Sequence, residues 1–193
     1  MTDDEVLNEF RAAGALLEGH FKLSSGRHSG HYLQCARVLM NAARAERLAA
    51  ALVERMPQDL VSAIGAVVSP AMGGIIFGHE IGRALGKDAM FVERPTGTFE
   101  LRRGFALAPG QKVLMVEDVV TTGLSSREAI AAIESAGGSV IGMASLIDRS
   151  AGQAVFDMPY FALLKMDFPT FPADDLPPDL AEIPLSKPGS RNA

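Results

Sequence analysis

In VLMVEDVVTTGLS, residues 113–125, four apolar side chains lead to the adjacent carboxylates Glu117 and Asp118. The hydroxyls of Thr121, Thr122 and Ser125 then surround Gly123. The apolar run reads as a strand that ends at the two acids. Ser125 and Glu128 are three residues apart and match a capping box, which predicts a helix with Ser125 as its N-cap. A loop between a strand's C-terminal end and a helix N-terminus is where open α/β sheets bind ligands. Free backbone N–H groups at such a helix start favour phosphate, and Gly123 lets the backbone approach an anion closely. Paired acids accept hydrogen bonds from ribose hydroxyls or assist a bound Mg²⁺. The combination suits a sugar phosphate. It is not the GxxxxGK[ST] loop of nucleotide hydrolases, because no lysine follows the glycine, and the chain contains no GxGxxG.

Two further segments could contribute chemistry. Ser69-Pro70-Ala71-Met72-Gly73-Gly74 follows an apolar run and precedes an apolar helical pattern. Its glycines can present N–H groups to an anion, although a plain strand-to-helix turn accounts equally well for the residues. Arg149 follows Ser145-Leu146-Ile147-Asp148 at the end of another predicted strand. Its guanidinium fork suits a planar carboxylate, and a surface ion pair with Asp148 or another acid is the plainer reading of this arginine alone. His20, His28, His31 and His79 show no metal-ligand spacing and read as structural or surface residues.

Repeating strands and helices must position these groups. Residues 2–14 carry Val6, Leu7 and Phe10 on one helical stripe, and residues 41–56 carry Leu48, Ala49, Leu52, Val53 and Met56 on another. Between them, residues 21–36 are polar and lack helical period, which predicts extended segments joined by turns. Apolar runs at 61–68, 89–93, 112–117 and 139–147 read as strands. Residues 73–86 and 125–136 read as helices, the latter stopped by Gly137-Gly138. Residues 94–105 mix Pro, Gly, Thr and charge without period. The alternation predicts an α/β fold with a central, mostly parallel sheet flanked by helices. Beyond Phe168 the chain is rich in proline and acid and reads as an extended surface tail, residues 169–193.

Bulk properties narrow the class. With 193 residues and 48% hydrophobic side chains, the chain can bury a core as a single domain. The single cysteine, Cys35, cannot form an internal disulfide, which predicts a reducing, cytoplasmic setting. The start, MTDDEVLNEF, lacks the basic and apolar regions of a signal peptide. Residues 60–78 carry no charge, but Pro70, Gly73 and Gly74 interrupt them, so no membrane span is expected. A formal charge of −5 argues against nucleic-acid binding.

VLMVEDVVTTGLS resembles the phosphoribosyl-pyrophosphate motif of the type I phosphoribosyltransferases. GALLEGHFKLSSGRHSGHYLQCARVL, residues 14–39, resembles the N-terminal part of the orotate branch of that family, with Gly19, Phe21, Leu23, Ser25, Gly26 and Ser29 fitting its pattern. The loop at 94–105 and the end, IPLSKPGS, resemble the same branch. The resemblance therefore covers nearly the whole chain. It implies the type I phosphoribosyltransferase fold, with residues 1–40 forming a small N-terminal hood over the base site. Purine-specific members would lack the 21–29 pattern and Arg149. A nucleic-acid-binding regulator of this fold would need a basic face.

The resemblance also implies the site. Glu117 and Asp118 contact the ribose hydroxyls, while Val119, Val120, Thr121, Thr122, Gly123, Leu124 and Ser125 cradle the 5′-phosphate. Gly73 lies in the pyrophosphate loop. Arg149 binds the orotate carboxylate, and Thr121 also touches orotate. Arg94, Arg102 and Arg103 belong to a mobile catalytic loop, residues 94–105, that reaches a neighbouring subunit's site, so a homodimer is expected. Mg²⁺ is implied, bound mainly through 5-phosphoribosyl 1-pyrophosphate rather than by a direct protein site. Some positions depart from the pattern. Gly73 and Ser24 stand where many members carry lysine, the loop has arginines instead of lysines and a histidine, and the tail has no cysteine pair for a zinc knuckle.

Overall fold

The computed structural model describes residues 1–23 and 26–186. The expectations placed on Ser24, on Ser25 and on the last part of IPLSKPGS lie outside the described residues.

The chain opens with helix α1, Asp3–Ala12. Thr2 caps it in a complete capping box with Glu5, and Val6 and Phe10 are buried on its inner face. Strands β1, Leu16–Lys22, and β2, His28–Leu33, follow as an antiparallel pair. A short helix α2, Cys35–Leu39, then takes up part of the stretch expected to be extended. Helix α3, Ala42–Glu54, is capped by the Asn41 side chain and buries Leu48, Ala49 and Leu52, as its apolar spacing predicts.

Residues 61–68 do not form one strand. Helix α4, Gln58–Ala63, takes the first part, and strand β3 is Ala66–Pro70. Helix α5, Gly74–Leu85, ends at Gly86 in the left-handed conformation (φ 64°), a C-cap that favours glycine. Strand β4, Ala89–Glu93, pairs antiparallel with the two-residue strand β5, Glu100–Leu101, so the aperiodic segment at 94–105 is partly a hairpin. Strand β6, Gln111–Val120, runs three residues past the expected end at Glu117. It continues because β7, Gly138–Asp148, pairs with it as far as Val120 opposite Asp148. Between them lies helix α6, Leu124–Ser135. Strand β8, Tyr160–Lys165, was not expected from the sequence. The tail adds strand β9, Thr170–Phe171, helix α7, Pro178–Ala181, and strand β10, Leu185–Ser186.

These strands form two sheets. The larger has the order β5-β4-β3-β6-β7-β8 and is parallel except at β5. Its β6 side chains alternate between two cores. Leu114 and Val116 pack with α3 and α5, and Val113 and Met115 pack with α6. The smaller sheet, β10-β1-β2-β9, is built from both ends of the chain, so the tail is structural rather than merely draped. His20 and His28 are buried within it, Nε2 to Nδ1 at 2.6 Å, and His20 Nδ1 lies 3.0 Å from the Ile183 carbonyl. No helix among the described residues is long and apolar enough to cross a membrane.

Candidate active site

The larger sheet places a site at its centre. From β3 the chain crosses through α5 to β4 on one side, whereas from β6 it crosses through α6 to β7 on the other. Adjacent strands whose connections diverge leave a crevice beyond their C-terminal ends. The loops that open on this crevice are the two singled out in the sequence, one after β3 and one after β6.

The acids sit inside β6, and the sheet explains their chemistry. Glu117 is only 6% exposed. Burial, and then the charge of Asp118, raises its carboxyl from 4.5 to about 8. Burial also raises Asp118, against the opposing effect of the Val119 N–H, which donates to Asp118 Oδ1 at 2.9 Å. Glu117 is therefore protonated at neutral pH until something replaces its lost hydration. Among the described residues, no group of three or more His, Cys, Asp or Glu could hold a metal ion.

The loop after β6 leads into a helix, though not by the expected cap. Ser125 is not the N-cap, and the capping box with Glu128 does not form. Gly123 takes the N-cap position with φ 72°, and it makes no side-chain cap bond. The left-handed turn starts the helix two residues before the expected cap, which leaves its first N–H groups without intrahelical partners. Leu124 N–H donates to the Thr122 hydroxyl at 3.3 Å. Arg127 clamps the loop from behind, donating to the Thr122 carbonyl at 2.7 Å and to the Val155 carbonyl at 3.3 Å. It also lies over Phe156. The sequence reading missed this clamp, although the arginine sits one helical turn after Gly123.

Arg149 closes the other wall. Its backbone N–H donates to the Val120 carbonyl at 2.8 Å, and its guanidinium lies 5.6 Å from the Phe168 ring centroid. Its side chain is half-buried, and its Nε, fully shielded from solvent, has no hydrogen-bond partner among the described residues. The surface ion pair with Asp148 does not form, because Asp148 instead accepts the Ser150 N–H at 2.8 Å. A shielded, unpaired guanidinium N–H costs free energy until an acceptor arrives. Tyr32, Cys35 and Asp118 lie close enough to act on one another electrostatically around it. Tyr32 and Phe168 were missed in the sequence, Phe168 because β8 ahead of it was not recognised.

The loop arginines are engaged elsewhere. Arg94 pairs with Glu128, reaches Ser125 Oγ at 3.4 Å and covers the Phe99 ring at 4.0 Å. Arg102 and Arg103 both pair with Glu93, at 3.6 and 3.0 Å. Gly73 lies beside Asp118, close enough that a Cβ built on it would fall 2.5 Å from the carboxylate.

Comparison with known proteins fits this geometry. Residues 39–174 match the phosphoribosyl transferase domain model. The orotate phosphoribosyltransferase of Novosphingobium aromaticivorans is 69% identical over 99% of this chain and 98% of its own length. That of Caulobacter vibrioides is 55% identical over 99% and 98%. The chain belongs to the orotate phosphoribosyltransferase family. Among solved structures, orotate phosphoribosyltransferase from Aeropyrum pernix aligns with a TM-score of 0.69 at 28% identity, covering 83% of this chain and 93% of that one. An adenine phosphoribosyltransferase from Thermoanaerobacter pseudethanolicus shares the fold, with a TM-score of 0.59 at 19% identity. This phosphoribosyltransferase brings Glu117, Asp118, the 119–125 loop, Gly73 and Arg149 around one crevice. Arg94 stands at its rim, and Arg102 and Arg103 are tied back along β4.

Proposed function

We propose that this chain transfers the ribose 5-phosphate group of 5-phosphoribosyl 1-pyrophosphate to N1 of orotate, giving orotidine 5′-phosphate and pyrophosphate in pyrimidine biosynthesis. The observation that carries the choice of base is Arg149, whose shielded Nε has no hydrogen-bond partner among the described residues and which is set beside the phosphate cradle. A planar carboxylate on the base satisfies it with a charge-assisted bond.

The remaining groups divide the work. The N–H groups of residues 121–125 hold the 5′-phosphate, and the Arg127 clamp keeps them aimed inward, whereas Val119 and Val120 lie within β6 and the Val119 N–H already donates to Asp118. Glu117 and Asp118 accept hydrogen bonds from the ribose hydroxyls and orient C1′. Thr121 and Arg149 fix orotate with N1 facing C1′. The backbone at Gly73 approaches the pyrophosphate. As the C1′–oxygen bond to pyrophosphate breaks, positive charge grows on the ribose ring, and N1 forms the new bond. Catalysis of this kind rests on positioning and electrostatics rather than on covalent chemistry.

The acid pair fits the Mg²⁺ that the family implies. Two adjacent carboxylates whose ionisation is opposed by burial, and in Glu117 also by the charge of Asp118, gain from a cation next to their ligand. When bound with the diphosphate, Mg²⁺ supplies compensation for its negative charge. Glu117 and Asp118 would hold it through the ribose hydroxyls.

The segment at 94–105 acts as a lid whose arginines exchange Glu128 and Glu93 for the leaving pyrophosphate. The lid serves a neighbouring subunit in a homodimer. The exposed Met72 and Ile76, beside a shallow apolar groove at Ile75, His79 and Phe91, support a face for a second copy. The chain acts as one domain, with the β10-β1-β2-β9 sheet as hood over the base. The buried thiol of Cys35 accords with a reducing, cytoplasmic location.

Arg149→Ala tests the base assignment. Removing one partner of a shielded charge pair costs about 2–5 kcal/mol, so the KM for orotate should rise roughly thirtyfold or more. The KM for phosphoribosyl pyrophosphate should change little. The reverse pattern would remove Arg149 from the base site.

A further inference from the structure

Phe168 joins the small sheet to the Arg149 side chain. Its ring stacks on the His31 imidazole, with centroids 4.5 Å apart and planes 9° from parallel. The same ring centroid lies 5.6 Å from the guanidinium carbon of Arg149, within reach of a cation–π contact. The backbone on either side fixes where the ring stands. Before it, the Met166 N–H donates to the Asp148 carbonyl at 2.8 Å, which continues the β7–β8 pairing next to Arg149. After it, the Ser29 hydroxyl donates to the Pro169 carbonyl at 3.1 Å, and Thr170 and Phe171 pair with Ser29 and His28 of β2. Phe168 is thus held from the large sheet on one side and from the small sheet on the other.

Filling the core does not account for this placement. Phe168 packs at the margin of the core and stays half-buried. The group beside it is the one that lacks fixation. Arg149 Nε is shielded and has no hydrogen-bond partner among the described residues, so no protein acceptor there sets the plane of the fork. A free arginine side chain samples many rotamers, and the exposed Asp167, next to Phe168, is near enough for its charge to attract Arg149. An aromatic face receives a guanidinium plane by stacking and cation–π attraction. The ring is the neighbour that can hold the fork against the pull of Asp167 until an acceptor arrives.

We propose that Phe168 is a positioning residue: its ring, braced by His31, holds the Arg149 guanidinium in the plane that receives the orotate carboxylate. This rests on the reading of Arg149 as the carboxylate ligand and goes beyond it. Affinity for orotate then depends on the link between β8 and β9, and through it on how the small sheet is set against the large one.

Steady-state kinetics of the full chain test this with Phe168→Leu, Phe168→Tyr, Arg149→Ala and the double variant of Phe168→Leu with Arg149→Ala. Phe168→Leu keeps an apolar side chain and removes the π face. It should raise the KM for orotate about fivefold, equivalent to about 1 kcal/mol, the order of a cation–π contact. The KM for phosphoribosyl pyrophosphate and kcat should stay within about twofold, as expected for lost uniform binding of one substrate. Phe168→Tyr keeps the ring face and should restore the KM for orotate to within about twofold of wild type. In the Arg149→Ala background, Phe168→Leu should cost less than about twofold. A loss that persists in full there would overturn the proposal, because the ring would then act without Arg149. So would a native KM for orotate in Phe168→Leu, an equal rise in both KM values, or a Phe168→Tyr chain as impaired as Phe168→Leu. A Phe168→Leu chain that does not fold would overturn it too, since the ring would then serve the core rather than the guanidinium. A native KM for orotate in Arg149→Ala would instead fell the base assignment on which the proposal rests.

Discussion

Replacing Glu117 by Gln should make the protein more stable, by an amount that grows with pH. Burial of Glu117, and then the charge of Asp118, raises its carboxyl from 4.5 to about 8. Below about pH 4.5 the acid is protonated in both folded and unfolded chains and adds no pH dependence. Between there and about pH 8 the unfolded chain has released its proton while the folded chain keeps it. The native state then binds more protons, so stability falls as pH rises, at about 1.4 kcal/mol per unit. From pH 5.5 to 7.5 this amounts to about 3 kcal/mol. Gln keeps the shape and removes the titration. His28, whose imidazole is pushed down by burial, has the opposite slope over part of this window, but it is common to both proteins. The chain has no tryptophan, so urea unfolding is best followed by far-ultraviolet circular dichroism, at one protein concentration. The stability gap between Glu117→Gln and wild type should widen by about 3 kcal/mol across those pH values. A constant gap would mean that Glu117 is already ionised in the folded protein, and the argument from burial would be refuted.

Two further outcomes follow from the same geometry. Ligand that needs ionised Glu117 must displace its proton, so affinity for phosphoribosyl pyrophosphate with Mg²⁺ should tighten toward pH 8, by up to about tenfold per unit. Isothermal titration should show that slope flattened in Glu117→Gln, and equal slopes in the two proteins would contradict the prediction. Glu128→Gln frees Arg94 from an exposed ion pair worth about 1 kcal/mol at most. The KM for phosphoribosyl pyrophosphate should then fall by up to about fivefold, whereas a rise would mean that Glu128 positions Arg94 for catalysis.

The sequence carries much of this account because several residues have only one good physical use. The helices expected at 2–14, 41–56 and 73–86 begin within a residue of the observed starts, where Thr2 and Asn41 turn out to cap the first two, and the third ends at Gly86. The run from Val113 to Gly123 announces a strand, an acid pair and a turn. What it hides is set by partners distant in sequence. The acids lie within β6 because β7 keeps pairing beyond them. Ser125 and Glu128 have capping-box spacing, yet the left-handed Gly123 starts the helix first and Arg94 takes Glu128. Residues 61–68 form one apolar run without period, so the end of α4 and the start of β3 look alike there. Arg149 could be read as a ligand only through family resemblance. The physical reason, an unpaired Nε shielded by its surroundings, exists only once the chain has folded.

The central claim is most directly tested by mixing the protein with phosphoribosyl pyrophosphate, Mg²⁺ and either orotate or a purine base, and following base consumption together with pyrophosphate release. Orotate absorbance should fall, matched mole for mole by pyrophosphate, and the purine should not turn over. Turnover of the purine without turnover of orotate would contradict it.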